Sequence, residues 1–200
     1  MTKVDAKMVS KLRKESGAPM MDCKRALEEA QGVWDKAHDI LRKKGLKTAD
    51  SKADREATEG RVFSYIHSDL KTGVLLEIDC ETDFVARNED FGALGHDLCL
   101  HLAFAKPPYL AREDVPANLI EKERDLQLEK VQEQMGDRPQ NIQEKAVEGR
   151  MNKFFEDLCF LEQKFIKEDS LSIQQYLKER VGKIGENLVI KRFQVFVVGV

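Results

Sequence analysis

The stretch Val74-Leu75-Leu76-Glu77-Ile78-Asp79-Cys80-Glu81-Thr82-Asp83-Phe84-Val85-Ala86-Arg87-Asn88-Glu89 is where this chain changes its period. Before it ends, Val74, Leu76, Ile78 and Cys80 alternate, which predicts a strand over 73–80 with one apolar face. After it, Phe91, Leu94, Leu98 and Leu102 recur at helical spacing, which predicts a helix over 88–105. Thr82 and Asp83 have side chains suited to cap helix amides at the junction. Phe84 is the residue that a plain strand-to-helix turn does not explain. Set among Glu81, Asp83, Arg87, Asn88 and Glu89, it is either folded into the core or offered to a partner.

Working outward, Val62–His67 reads as a second strand and Asp69–Gly73 as the turn joining it to 73–80, a hairpin. Upstream, residues 1–45 read as a domain of three amphipathic helices. Val4, Met8, Val9 and Leu12 mark the first helix, which stops at Ser16-Gly17. Pro19 opens the second, which buries Cys23, Ala26, Leu27 and Ala30 and ends at Gln31-Gly32. Trp34, Ala37, Ile40 and Leu41 mark the third, closed by Lys43-Lys44-Gly45. Residues 46–59 hold almost nothing large and apolar and read as a linker, one whose alanines and charges also suit a helix; 60–200 then form a second domain.

In that second domain Pro107-Pro108 stops the 88–105 helix, and Pro116 opens a long charged helix to about Met135. Gly136-Asp137-Arg138-Pro139 breaks it, and a further helix runs through Ile142, Ala146, Phe154, Phe155 and Leu158, its bulky end expected to be buried. Leu161–Lys167 reads as loop or short strand. Ser172 is placed to cap a helix carrying Ile173, Leu177 and Val181, and Ile184–Asn187 turns into a last strand over 188–198. That strand is apolar on both faces, so it is expected to be central in the sheet or covered by another chain. The fold class is α+β: a three-helix bundle followed by a three-stranded antiparallel sheet packed by helices.

The composition excludes several functions. The net charge is −3 from interleaved acidic and basic residues, which argues against direct nucleic-acid binding. The basic cluster Lys43, Lys44, Lys47 and Lys52 is read as a solvated helix end. No apolar run is long enough to span a membrane, and the charged Met1–Asp5 segment lacks a secretory pattern, so the expected address is cytoplasmic. Cys23, Cys80, Cys99 and Cys159 are widely spaced at apolar positions, the pattern of free buried thiols rather than of a zinc site. Nothing resembles a phosphate-binding glycine loop, and no cofactor is expected. Asp79, Glu81 and Asp83 alternate at a strand end, the basis of a rival reading as a Mg²⁺-dependent hydrolase; only their spacing supports it. His67, His96 and His101 have no adjacent nucleophile or orienting acid, so no catalytic residue is assigned.

Four spaced stretches resemble one family in the family's own order. Ser16-Gly17-Ala18-Pro19-Met20-Met21-Asp22-Cys23-Lys24-Arg25-Ala26-Leu27 and Cys80–Asn88 are similar to the two signatures of elongation factor Ts. Gly149-Arg150-Met151 and Lys183-Ile184-Gly185-Glu186-Asn187 resemble further family stretches. The resemblance implies a ubiquitin-associated-like N-terminal bundle, an α+β core and nucleotide exchange on elongation factor Tu, GDP-bound or nucleotide-free, with no covalent chemistry. It implies that Thr82, Asp83, Phe84 and Val85 enter the nucleotide-binding domain of that GTPase, with Phe84 the wedge that displaces the element holding Mg²⁺. Ile184 and Gly185 match a second contact, His67 a contact histidine of the family's second core copy, and Met20, Met21 and Lys24 the gripping surface of the bundle. This chain departs from the longer relatives: it has one core copy, whereas they carry two and a helical coiled-coil insertion. Pro19 replaces a glycine usual in the first signature, and Val33 a helix-capping acid. A homodimer is the arrangement by which one subunit offers Phe84 and the other His67.

Overall fold

The computed structural model describes residues 4–199; residues 1–3 and 200, the outermost positions of the two expected domains, lie outside the described residues. Helix α1 spans Ala6–Ser16, its first turn capped by Asp5, whose carboxylate accepts from the Met8 amide at 2.7 Å. Gly17, at φ 68°, ends it in the left-handed conformation. Helix α2 (Met20–Glu29) starts behind Pro19, and α3 (Trp34–Asp50) starts behind Val33, which supplies no side-chain cap. Val9, Leu12, Cys23, Ala26, Leu27, Ala37 and Leu41 form the core of this bundle.

The third helix does not stop at Gly45 but continues to Asp50. Lys43-Lys44-Gly45 has the chemistry of a helix end, yet Gly45 serves another purpose. Helix α8 (Ile173–Ile184) crosses α3 there, so closely that a β-carbon on Gly182 would sit 2.8 Å from the Gly45 Cα. Packing at that crossing outweighs the ~1 kcal/mol a mid-helix glycine costs. Ion pairs flank it: Arg42 with Glu179 and Lys178 with Asp50, both at 2.7 Å. The expected 46–59 linker is thus helix as far as Asp50, with Ala49 buried in the main core.

Strands β1 (Glu59–Ile66), β2 (Thr72–Cys80) and β5 (Leu188–Val197) form an antiparallel sheet in the order β1-β2-β5. In β2, the central strand, Val74, Leu76, Ile78 and Cys80 face inward as their alternation requires. A one-turn helix α4 (Asp83–Ala86) leads into α5 (Glu89–Ala105), which lays Phe91, Leu94, Leu98 and Leu102 on that inner face. The Phe63 and Phe91 rings meet at 5.5 Å.

The last strand is neither central nor regular. It lies at the sheet edge, and between Glu77 and Ile78 the register shifts so that Lys191 is left over. This bulge transfers the inward side from Leu188 and Ile190 to Phe193, Val195 and Val197. The change of phase gathers most of the strand's apolar residues on the inner face, while Val189 and Phe196 stay exposed on the other. The opposite face of the sheet still exposes Val62, Ile66, Leu75 and Phe196.

Helices α6 (Ala117–Met135) and α7 (Gln140–Leu158) form an antiparallel hairpin with its own small core of Val131, Val147 and Met151. Phe154 and Phe155 are only partly buried against it, so the expected burial of that bulky end is incomplete. A short hairpin, β3 (Lys164–Phe165) and β4 (Glu168–Ser172), follows; residues 168–170 are polar and carry no strand signal. Ser172 caps α8 in a reciprocal box with Gln175.

Candidate functional site

The strand ends at Cys80 because the next two backbone amides leave the ladder for a side chain. One carboxylate oxygen of Glu186 accepts from the Glu81 amide at 3.1 Å and the Thr82 amide at 3.0 Å. The other accepts from the Thr82 hydroxyl at 2.7 Å. Thr82 then caps α4, its hydroxyl accepting from the Val85 amide at 3.4 Å. The Cys80 thiol donates to the Thr82 carbonyl at 3.2 Å. Within that single helical turn Ala86 is buried and Val85 packs partly against the core. Phe84 is 82% exposed. Asp83 pairs with Arg87 one turn on, at 3.3 Å.

The second turn, after α8, is fastened to the first. Gly185 takes φ 90°, a left-handed conformation that costs glycine little, and so reverses the chain and sends Glu186 back toward residues 81–82. Asn187 returns the interaction: its amide donates to the Glu81 carboxylate at 2.7 Å. That hydrogen bond, aided by Arg55 at 3.4 Å, holds the Glu81 carboxyl below its ordinary value against some desolvation. The Asn187 side chain also donates to the Arg55 carbonyl at 2.8 Å, and Lys52 donates to the Gly185 carbonyl. Three segments, 52–55, 81–82 and 184–187, are therefore interlocked below an exposed ring.

Thr82–Val85 and Ile184-Gly185 thus lie together. The bundle surface approaches the same end: the Lys183 stem lies over Gly17, just ahead of Met20, while its ammonium pairs with Asp90 at 2.8 Å. Met20 and Met21 are both exposed. Lys24 is exposed and pairs with Glu28 at 3.8 Å, a contact that contributes little to stability.

His67 does not join this group. It is exposed just past β1, its Nδ1 3.0 Å from the Tyr65 hydroxyl. The register pairs Cys80 with Glu59 at one end of the hairpin and Gly73 with Ile66 at the other. Seven residues of β2 separate those ends, about 23 Å at ~3.3 Å per residue.

The carboxylates of the rival reading point apart. Glu81 faces Asn187 and Arg55, Asp83 faces Arg87, and Asp79 is held above its ordinary value by burial and by Glu77. Among the described residues no group of three His, Cys, Asp or Glu side chains is placed to hold a metal ion. His101 is buried, its Nε2 2.9 Å from the Gln163 side-chain oxygen and its ring beside that of Phe160. All four cysteines are free and buried. The contribution of Glu186, Asn187 and Arg55 is not legible in local pattern, because each acts on a residue that is distant in sequence.

A family model described as Elongation factor TS matches residues 23–199. A protein of Geobacter sulfurreducens named Elongation factor Ts is 49% identical over 98% of this chain and 90% of its own length. Those of Thermodesulfovibrio yellowstonii and Thermosipho melanesiensis, with the same name, are 50% and 46% identical over 98% of this chain and 96% and 99% of theirs.

Proposed function

We propose that this chain, which belongs to the elongation factor Ts family, is a guanine-nucleotide exchange factor acting on elongation factor Tu during translation elongation, in the cytoplasm. One observation carries the reading: an aromatic ring is exposed on a turn whose leading residues, 81 and 82, are hydrogen-bonded to Glu186 and Asn187. An isolated exposed ring on a loose loop would lose entropy on docking; this one is held in place beforehand.

In this reading the Thr82–Val85 turn enters the nucleotide-binding domain, and Phe84 wedges between elements there and displaces the one that holds Mg²⁺. Without the cation, repulsion between the phosphates and nearby acidic groups is no longer screened, and GDP leaves faster. No covalent bond changes. Coupling is reciprocal, so GDP weakens the hold of the factor by the same ratio. Ile184 and Gly185, beside the wedge, make a second contact, and Met20, Met21 and Lys24 on the bundle grip the GTPase. Residues 1–45 then form the gripping domain and 60–200 the exchange domain.

His67, about 23 Å away along the hairpin, is out of reach of the Phe84 contact zone within one subunit. A homodimer supplies His67 from the second copy, and the apolar outer face of the sheet, Val62, Ile66, Leu75 and Phe196, is suited to cover another such face. The test is stopped-flow release of labelled GDP from elongation factor Tu, with and without this protein. Acceleration is expected; an unchanged rate at saturating protein overturns the proposal. Light scattering that finds only monomer at working concentration removes the dimer.

A further inference from the structure

We propose that Glu186 is a positioning residue for exchange, acting through the clasp it makes with residues 81 and 82; this rests on the exchange reading above. Its carboxylate takes three hydrogen bonds from one short piece of chain, two from backbone amides and one from the Thr82 hydroxyl. The hydroxyl that donates to Glu186 also accepts the Val85 amide, so the clasp continues directly into the turn that carries Phe84. Hydrogen bonds to an ionised acceptor are about twice as strong as neutral ones, and two of the three here fix backbone. Glu186 itself sits where it does because Gly185 reverses the chain.

The alternative anchors of the turn are weaker. Ala86 is buried and Val85 partly so, but both follow or flank the ring within a single helical turn, too short to hold its own shape. Removing the Glu186 carboxylate leaves the amides of 81 and 82 to water, and the ring samples orientations that do not match the partner. Affinity is then reduced by the fraction of time the ring is correctly placed.

The substitutions distinguish positioning from general support. Glu186→Ala removes all three acceptors. Glu186→Gln keeps one oxygen for the two amides, and its NH₂ can donate to the Thr82 hydroxyl, so the geometry survives without the charge. Stimulated GDP release is expected to fall about tenfold in Glu186→Ala and by no more than about threefold in Glu186→Gln. In a Phe84→Ala background, Glu186→Ala is expected to add nothing, because the clasp has no ring left to position.

A wild-type rate for Glu186→Ala beside a slow Phe84→Ala overturns this inference and leaves the exchange reading intact. So does a Glu186→Ala loss that is as large without the ring as with it. An unimpaired Phe84→Ala overturns the wedge and this inference together. Should Glu186→Ala not fold, Glu186→Asp decides: its carboxylate is one methylene short of the amides of 81 and 82, so release slower than in Glu186→Gln is expected, and a wild-type rate refutes the clasp.

Discussion

Phe84→Ala separates what the ring does for this chain from what it does for a partner. The residue is 82% exposed, so about one fifth of its surface is covered in the free protein. A phenylalanine carries about 200 Å² of surface, and covering a fifth of it is worth about 1 kcal/mol at ~25 cal/mol/Å². Thermal unfolding of Phe84→Ala should therefore move by no more than about 2–4 °C for a chain of this length. Burying the remaining four fifths in elongation factor Tu is worth about 4 kcal/mol on the same scale, or about 1,000-fold in affinity. The assay is a pair: a thermal melt, and stopped-flow GDP release across a range of factor concentrations. A stable variant with exchange at the wild-type level refutes the wedge. A variant whose melting falls by ten degrees or more shows that the ring supports its own fold, and the argument from exposure fails.

Two further outcomes follow from the packing. His101 is held below its ordinary value near 6.5 chiefly by burial, with the Gln163 hydrogen bond opposing. The fold therefore favours the neutral ring, and its stability is complete above that value and declines as pH falls toward the folded one, by up to ~1.4 kcal/mol per pH unit for one proton. Urea unfolding from pH 7.5 to 5.5 should show a slope that flattens in His101→Gln; an identical slope in both proteins removes His101 as its source. Gly182→Val adds a branched side chain where a β-carbon alone would sit 2.8 Å from the Gly45 Cα, so α3 and α8 must part, at a cost of about 1–3 kcal/mol by chemical unfolding. A variant as stable as wild type means that the helices do not cross as closely as described.

The hairpin, the switch of period at Cys80 and most helix boundaries are legible because they rest on local signals: alternation, helical spacing, prolines and left-handed glycines. The errors occur where a distant contact decides. Gly45 looks like a helix end because its chemistry is that of one, but Gly182, far along the chain, uses it as a crossing point. In the last strand alternation assigns Leu188 and Ile190 to one face and Phe193, Val195 and Val197 to the other, whereas the bulge at Lys191, which depends on pairing with β2, puts all five on the inner face. The β3–β4 hairpin is held by tertiary packing around Phe165 and Leu171 rather than by its polar sequence. At the site, Phe84 stands out in the sequence as an aromatic ring among charges, whereas its supports do not. The Glu186 carboxylate accepts from the Glu81 amide and the Glu81 carboxylate from the Asn187 amide, across more than a hundred residues, and no local pattern marks such contacts.

The central claim is that the Phe84 ring leaves its own subunit and enters the nucleotide-binding domain of elongation factor Tu. A photo-crosslinking benzophenone side chain placed at position 84 tests it directly, with the captured peptide mapped by mass spectrometry. The account predicts capture of that domain, suppressed by excess Mg²⁺ and GDP as reciprocal coupling requires. Capture confined to the factor's own chain, or to another domain of the GTPase, would contradict it.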